Sequence, residues 1–357
     1  MLKAHHIIII LLLSLFLVSC SAGNSSNEQK LLSEGEDTQI TVSSYTDFSD
    51  LRQDYFLKPG DKIAVISPSS LPSRDLYEAT MEGLKSWGYV PVEGKYVCVE
   101  ERTLDNCLED LEWALNDPEI AAIFCVRGGS ASWEVLDRMS LSMIAKANKP
   151  IIGYSDITTY LSTWTAAGLP AFHASMVQAF IEDDEKTVEI EKKMLEGEMP
   201  VYQVQGSDYD VQGTAEGILI GGNLATITAV LDTYYDATAI DEPYILFLED
   251  VNEDYEHIHR FISILEHQGV LDKAEGFIFG QWIEYPEDCD TYNGNSRGGR
   301  FTSAADMINR QFIKDRNKPA AFGFPAGHGS INYPLLMGSK VRLEVKDGSY
   351  TIEWLPE

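Results

Sequence analysis

Ala121-Ala122-Ile123-Phe124-Cys125-Val126 is apolar without a break, and Arg127-Gly128-Gly129 follows at once. A run this short, closed by Gly, reads as a strand, and its lack of polar alternation means that both faces are buried. Upstream lie Lys62-Ile63-Ala64-Val65-Ile66, a helical pattern from Leu76 to Trp87, the extended Tyr89-Val90-Pro91-Val92, and a helix from Leu104 to Leu115. Downstream come a helix, a break, Ile151-Ile152-Gly153, and a helix from Thr158. Strands alternating with helices predict an α/β fold: a mostly parallel sheet flanked by helices. In such sheets ligands bind beyond the carboxyl ends of the strands. Gly128-Gly129 and Ser155 both fall on that edge.

The second half adds a mixed α/β domain. The stretch Gly217–Leu224 leads into a helix through Leu231; Tyr244–Leu248 reads as strand, ending at Glu249-Asp250; Ile258–Leu265 as helix; Gly276–Gly280 as strand; and Phe301–Phe312 as helix. Lys340–Val345 and Tyr350–Trp354 around Asp347-Gly348 form a hairpin, because Asp-Gly suits a turn with positive φ. The expected boundaries are an N-terminal α/β domain at 57–182, a connecting segment at 183–213, and a C-terminal domain at 214–357.

Ahead of these lies a targeting segment. Lys3 precedes an apolar run from Ile7 to Val18 that ends Leu17-Val18-Ser19-Cys20. The run is shorter than the ~20 residues that span a bilayer. Small residues before a Cys resemble a bacterial lipobox, so residues 1–19 read as a signal peptide and Cys20 as a lipidated N-terminus. Residues 20–56 read as a flexible tether, with order starting at Leu57. The expected location is outside the inner membrane, held by the lipid alone. The remaining cysteines, Cys98, Cys107, Cys125 and Cys289, fit no zinc spacing and no disulfide framework. With Lys+Arg at 27 against Asp+Glu at 56, the net charge of −29 argues against nucleic acid and anionic lipid as partners.

Three stretches put a reactive side chain at a strand end or in a Gly turn: Gly153-Tyr154-Ser155-Asp156, Leu248-Glu249-Asp250 and Gly327-His328-Gly329. A Ser, a base and an orienting carboxylate are what acyl transfer needs. Each also has a plain structural reading. Ser155 or Thr158 caps a helix, Glu249 caps another, and His328 is a polar loop residue. His173, after Pro170-Ala171-Phe172, competes as base. His257 and His259 with Glu253 suggest a metal, but their spacing matches no common helical zinc motif. Neither a Walker nor a dinucleotide glycine motif occurs.

Taken together, the stretches resemble the serine LD-carboxypeptidase family, which includes muramoyltetrapeptide carboxypeptidases and microcin C immunity peptidases. They run in family order: Gly60–Ser69, Asp117-Pro118-Glu119-Ile120 leading to Arg127-Gly128-Gly129, Gly153–Thr158, Gly221-Gly222-Asn223-Leu224, Leu248-Glu249-Asp250 and Gly327-His328. The resemblance implies Ser155 as nucleophile with Glu249 and His328. It implies an active site at the interface of the two domains, an oxyanion hole from the backbone N–H of Gly129 and Asp156, and substrate contacts at Arg127, Gly128, Gly222 and Asn223. It implies no metal or cofactor, a murein peptide as substrate, and a homodimer. A peptidase acting on peptide conjugates and a non-catalytic muropeptide-binding lipoprotein are the alternatives. The chain departs from the family at Ser130-Ala131, where the family has Tyr-Gly, and at His173-Ala174-Ser175, where it has His-Gly-Pro. The usual members lack an export signal. Ser132, in the helix after Gly129, lies outside the Gly-x-Ser turn.

Overall fold

A computed structural model describes residues 38–50, 55–130, 132–283 and 301–356. The chain forms two sheets from strands β1 (Ile40–Asp47), β2 (Lys62–Ile66), β3 (Val90–Glu93), β4 (Ile120–Cys125), β5 (Ile151–Gly153), β6 (Ala171–His173), β7 (Glu198–Gln205), β8 (Gly213–Asn223), β9 (Tyr244–Val251), β10 (Gly276–Ile283), β11 (Ala320–Phe322), β12 (Leu335–Met337), β13 (Lys340–Lys346) and β14 (Ser349–Trp354).

The first sheet has six strands in the order β12-β6-β5-β4-β2-β3. All its pairings are parallel except β12 with β6. The expected helices lie between its strands: Arg74–Ser86, Leu104–Asn116 and Thr158–Ala166. The chain leaves β2 for the edge strand β3 and returns to β4 on the other side of β2. The crevice at such a reversal is the usual ligand site of an open α/β sheet. Here it lies between the loop after β2, carrying Ser69 and Ser70, and the loop after β4, carrying Gly128 and Gly129. The two loops touch, with Ser70 N–H donating to the Gly128 carbonyl at 3.2 Å.

The second sheet is mixed, with eight strands in the order β1-β7-β14-β13-β8-β9-β10-β11. β8 to β11 pair in parallel and the remainder antiparallel. β9 is buried on both faces, and its side chains alternate between two cores. Ile245 and Phe247 join the core shared with the first sheet, while Leu246 and Leu248 join the core under the helix Tyr255–His267. The expected hairpin forms, with Asp347 at φ 52° and Gly348 at φ 75°.

Two expectations need correction. The sequence reads as a tether at 20–56 with order from Leu57, yet β1 pairs antiparallel with β7, and Tyr55 and Phe56 are buried. Phe48 N–H donates to the Gly197 carbonyl at 2.7 Å. β1 is a half-exposed edge strand with a register shift between Val42 and Ser44, so its sequence carries no clean apolar period. The connecting segment 183–213 is also structured. It holds the helix Glu185–Leu195 and β7, which buries Met199, Tyr202 and Val204 and exposes Gln203 and Gln205. A third feature was not foreseen: β12, late in the chain, crosses over to the edge of the first sheet and pairs Leu335 with His173. The loop from β11 to β12 therefore carries His328 from one sheet to the other.

Cys98, Cys107 and Cys125 are free thiols. Cys20 and Cys289 lie outside the described residues. Among the described residues no helix is long and apolar enough to cross a membrane.

Candidate active site

Ser155 follows β5 on a tight turn. Its φ is +65°, a left-handed conformation that costs a non-Gly residue about 1–3 kcal/mol and is held only where the surroundings enforce it. A single turn, Ser155–Ile157, leads into the helix Thr158–Ala166. This is the expected strand-to-helix elbow. The neighbouring loop presses against it. A Cβ on Gly128 would sit 2.9 Å from Ser155 Cβ and 3.4 Å from the Asp156 nitrogen, so only Gly lets the two loops approach this closely. Gly129 N–H, one proposed oxyanion donor, donates to no other described residue.

Glu249 and His328 are brought together from opposite sides. Glu249 lies within β9 rather than after it, and the two-residue strand period puts it on the same face as Phe247, toward the first sheet. It is fully buried, and its Oε2 is 2.8 Å from His328 Nδ1. Gly327 makes this possible: its φ is +128°, and a Cβ there would fall 2.7 Å from Glu249 Oε2. The loop is pinned on both sides of His328. Gly327 N–H donates to Asn332 Oδ1 at 2.9 Å, and Gly329 N–H donates to Gln281 Oε1 at 2.8 Å. Burial alone would push the His328 pKa down, but the charge and hydrogen bond of Glu249, with the Asp250 charge behind them, outweigh it and raise it. The Tyr154 ring packs on the imidazole with centroids 4.9 Å apart, setting His328 beside the turn that carries Ser155. Ser155 Oγ and His328 share no hydrogen bond in this conformation. Catalytic bonds of this kind commonly tighten only with substrate bound.

The competing groups sit elsewhere. His173 is fully buried against Tyr154 and Phe247, with neither ring nitrogen hydrogen-bonded. Burial pushes its pKa down to about 4, so it stays neutral and has no orienting carboxylate. Ser132 is buried and bonded to Asp156, which removes it as a nucleophile. His257 pairs with Glu253 at 2.9 Å, whereas His259 turns to Phe312. No group of three metal-ligating side chains occurs among the described residues.

The expected substrate contacts divide. Arg127 is exposed beside Gly128, its Nη1 donating to the Leu71 carbonyl at 3.3 Å. Gly222 and Asn223 instead join the two sheets. A Cβ on Gly222 would lie 2.6 Å from Thr158 Oγ1, and Asn223 N–H donates to that oxygen at 3.0 Å. The Asn223 amide is committed within the protein: Nδ2 donates to Asp250 Oδ1 at 2.8 Å, and Oδ1 caps the helix Leu224–Val230. Asp250 also accepts from Ala225 N–H at 3.0 Å. Burial, and then the charge of Glu249, push its carboxyl up to about 7. Sequence reasoning missed Tyr154, Gln281 and Asn332 as supports of the His328 loop. The Gly-His-Gly spacing was the one signal that this loop is tightly held.

A strained Ser on an elbow, with a Glu–His pair whose imidazole packs against its neighbour Tyr154, holds the groups that a serine hydrolase uses. The LD-carboxypeptidase N-terminal domain matches residues 63–174 and the LD-carboxypeptidase C-terminal domain matches residues 216–343, and the chain belongs to this family of peptide hydrolases. It is 28% identical to the murein tetrapeptide carboxypeptidase of Pseudomonas aeruginosa, over 79% of this chain and 93% of that one. Its fold is shared with muramoyltetrapeptide carboxypeptidase from Oxalobacter formigenes, at TM-score 0.69 and 22% identity over 82% of this chain and 98% of that one. The microcin C7 self-immunity protein, without ligand, has the same fold at TM-score 0.71 and 22% identity, over 85% and 98% of the two chains.

Proposed function

We propose that this chain removes the terminal D-Ala from murein tetrapeptides by cutting an L,D peptide bond, with Ser155 as nucleophile, His328 as base and Glu249 as its orienting partner. The observation that carries this reading is the Glu249–His328 contact at 2.8 Å, on the loop that reaches from the second sheet to the first. Glu249 occupies Nδ1, which leaves Nε2 to take the Ser155 proton as Oγ attacks the carbonyl carbon. The N–H groups of Gly129 and Asp156 receive the oxyanion. His328 then protonates the departing amine, and water cleaves the acyl-enzyme by the same steps. The substrate preference is supported by the name of the Pseudomonas relative.

Purified protein is incubated with murein tri-, tetra- and pentapeptides, and free D-Ala is measured. Release from the tetrapeptide, abolished in Ser155→Ala, is the expected result. Ser155-dependent cleavage of peptide–nucleotide conjugates alone would assign the immunity-type activity. Tight muropeptide binding without turnover would make it a binding lipoprotein.

The same proposal places the enzyme outside the inner membrane on a lipid at Cys20, which lies outside the described residues. Cys20→Ser should leave the protein in the soluble fraction. Persistence with salt-washed membranes rejects the lipobox.

A further inference from the structure

One carboxylate oxygen beside the nucleophile collects three donors from two distant parts of the chain. Asp156 Oδ2 accepts the Ser69 hydroxyl, the Ser132 N–H at 3.1 Å and the Ser132 hydroxyl at 2.8 Å. Ser69, Ser132 and Asp156 are all buried. Ser69 lies in the loop after β2. That loop is itself gripped by Arg102, which donates to the Ser69 carbonyl at 2.6 Å and to the Ser67 carbonyl. Ser132 begins the short helix Ser132–Leu136, directly past the Gly128–Ser130 loop. Gly129 rests on the first of these loops: a Cβ there would collide with the hydroxyls of Ser69 and Ser70. The carboxylate thus ties the chain just after Gly129 to the loop on which Gly129 rests, while the Asp156 backbone N–H is the other proposed oxyanion donor.

We propose that the Asp156 carboxylate is a positioning group that holds the two arms of the oxyanion hole in register. It does so through Ser132 on the Gly129 loop and through Ser69 beneath it. The inference rests on Ser155 being the nucleophile. A helix cap would need a bond to the helix's own first N–H groups. The Asp156 carboxylate reaches instead to Ser69 and Ser132, 87 and 24 residues away in the chain. Charge-assisted bonds to an ionised carboxylate are about twice as strong as neutral ones, and three of them on one oxygen fix the geometry tightly. A hole made of N–H groups from two separate loops needs such a tie, because a ~1 Å misplacement can cost on the order of 10²-fold in rate.

The test compares Asp156→Asn, Ser132→Ala and Ser69→Ala with wild type on the murein tetrapeptide, together with binding of a peptide aldehyde, whose adduct with Ser155 carries an oxyanion. The expected result is a kcat lowered by roughly 10–10²-fold at constant KM, largest for Asp156→Asn, with aldehyde affinity falling in the same order. Should Asp156→Asn fail to fold, the two Ser→Ala variants carry the test. Wild-type kcat in all the folded variants overturns the inference. So does a fall in kcat with aldehyde affinity unchanged, since the carboxylate would then act away from the hole. A Ser155→Ala variant that cleaves like wild type, or that still labels with a fluorophosphonate, overturns the assignment of the nucleophile instead.

Discussion

His328 Nδ1 lies 2.8 Å from Glu249 Oε2, and Glu249 has no exposed surface. A carboxylate held this far from water stays there because its charge is partnered, and the partner is fixed in turn by the loop bonds to Asn332 and Gln281. The pair sets both the tautomer and the orientation of the imidazole.

Glu249→Gln tests this directly. The amide keeps the volume but offers the ring no charge and can present the wrong hydrogen-bonding group to Nδ1. The expected loss in kcat is about 10²–10⁴-fold, smaller than for loss of Ser155 or His328. Steady-state kinetics on the tetrapeptide measure it. A variant as fast as wild type removes Glu249 from the mechanism.

The pH profile follows from the same contact. A general base works in its neutral form, so with His328 as the proposed base cleavage should fail when its imidazole is protonated. Its pKa is raised above the ordinary 6.5, and the acid limb of kcat/KM should therefore lie above that value. In Glu249→Gln the limb should move down, because burial is then opposed by the Asp250 charge alone. His173, pushed down to about 4, adds no second limb near neutrality. The stability linkage runs the opposite way. The protonated pair stabilises the fold fully below the unfolded histidine pKa, and this contribution is lost as pH rises through the raised value. An acid limb at or below 6.5 in the wild type would contradict the raised His328.

The parts legible in the sequence were those encoded locally. β4 announced itself by an unbroken apolar run, Ser155 by the Gly-x-Ser turn between strand and helix, and the hairpin by Asp347-Gly348. The parts that were not legible depend on distant partners. β1 and β7 each expose one face and are recognisable only once paired. β12 is three residues long and gains its meaning from lying beside His173. Glu249 and Asp250 read as a strand end because two acids in a core strand are unexpected. One of them meets His328, and the other meets Asn223 and the Ala225 N–H. Asp156 was legible for its backbone N–H, from its place after Ser155, but its side-chain partners Ser69 and Ser132 were not.

Gly129 tests the proposed oxyanion hole, and because Pro there must also shift the loop that packs on Ser155, a small effect is the decisive result. Its φ of +155° and the two hydroxyls lying where a Cβ would go leave no room for a side chain. Gly129→Pro also removes the N–H, and loss of one such donor typically costs about 10²–10³-fold in kcat. The expected result is a loss of at least that size, with Ser155 still present and the protein folded by circular dichroism. Activity within a few-fold of wild type places the hole elsewhere.

The last prediction is that Ser155, His328 and Glu249 act as one unit. Tyr154 packs its ring on His328, so the residue before the nucleophile touches the base, and Gly128 closes on Ser155 from the other side. Within such a unit, Ser155→Ala and His328→Ala should each abolish nearly all hydrolysis. The double variant should be scarcely slower than either, because once one partner is gone the other has no step to contribute. The residual rate then reflects binding and the oxyanion donors alone. Ser155→Ala should still bind the tetrapeptide, since removing a part-exposed hydroxyl leaves the pocket walls in place, and calorimetry on that variant measures this. Multiplicative losses in the double variant would mean that the two residues serve separate steps. Full activity in Ser155→Ala would exclude the turn altogether, and Ser132, buried on Asp156, is not placed to replace it.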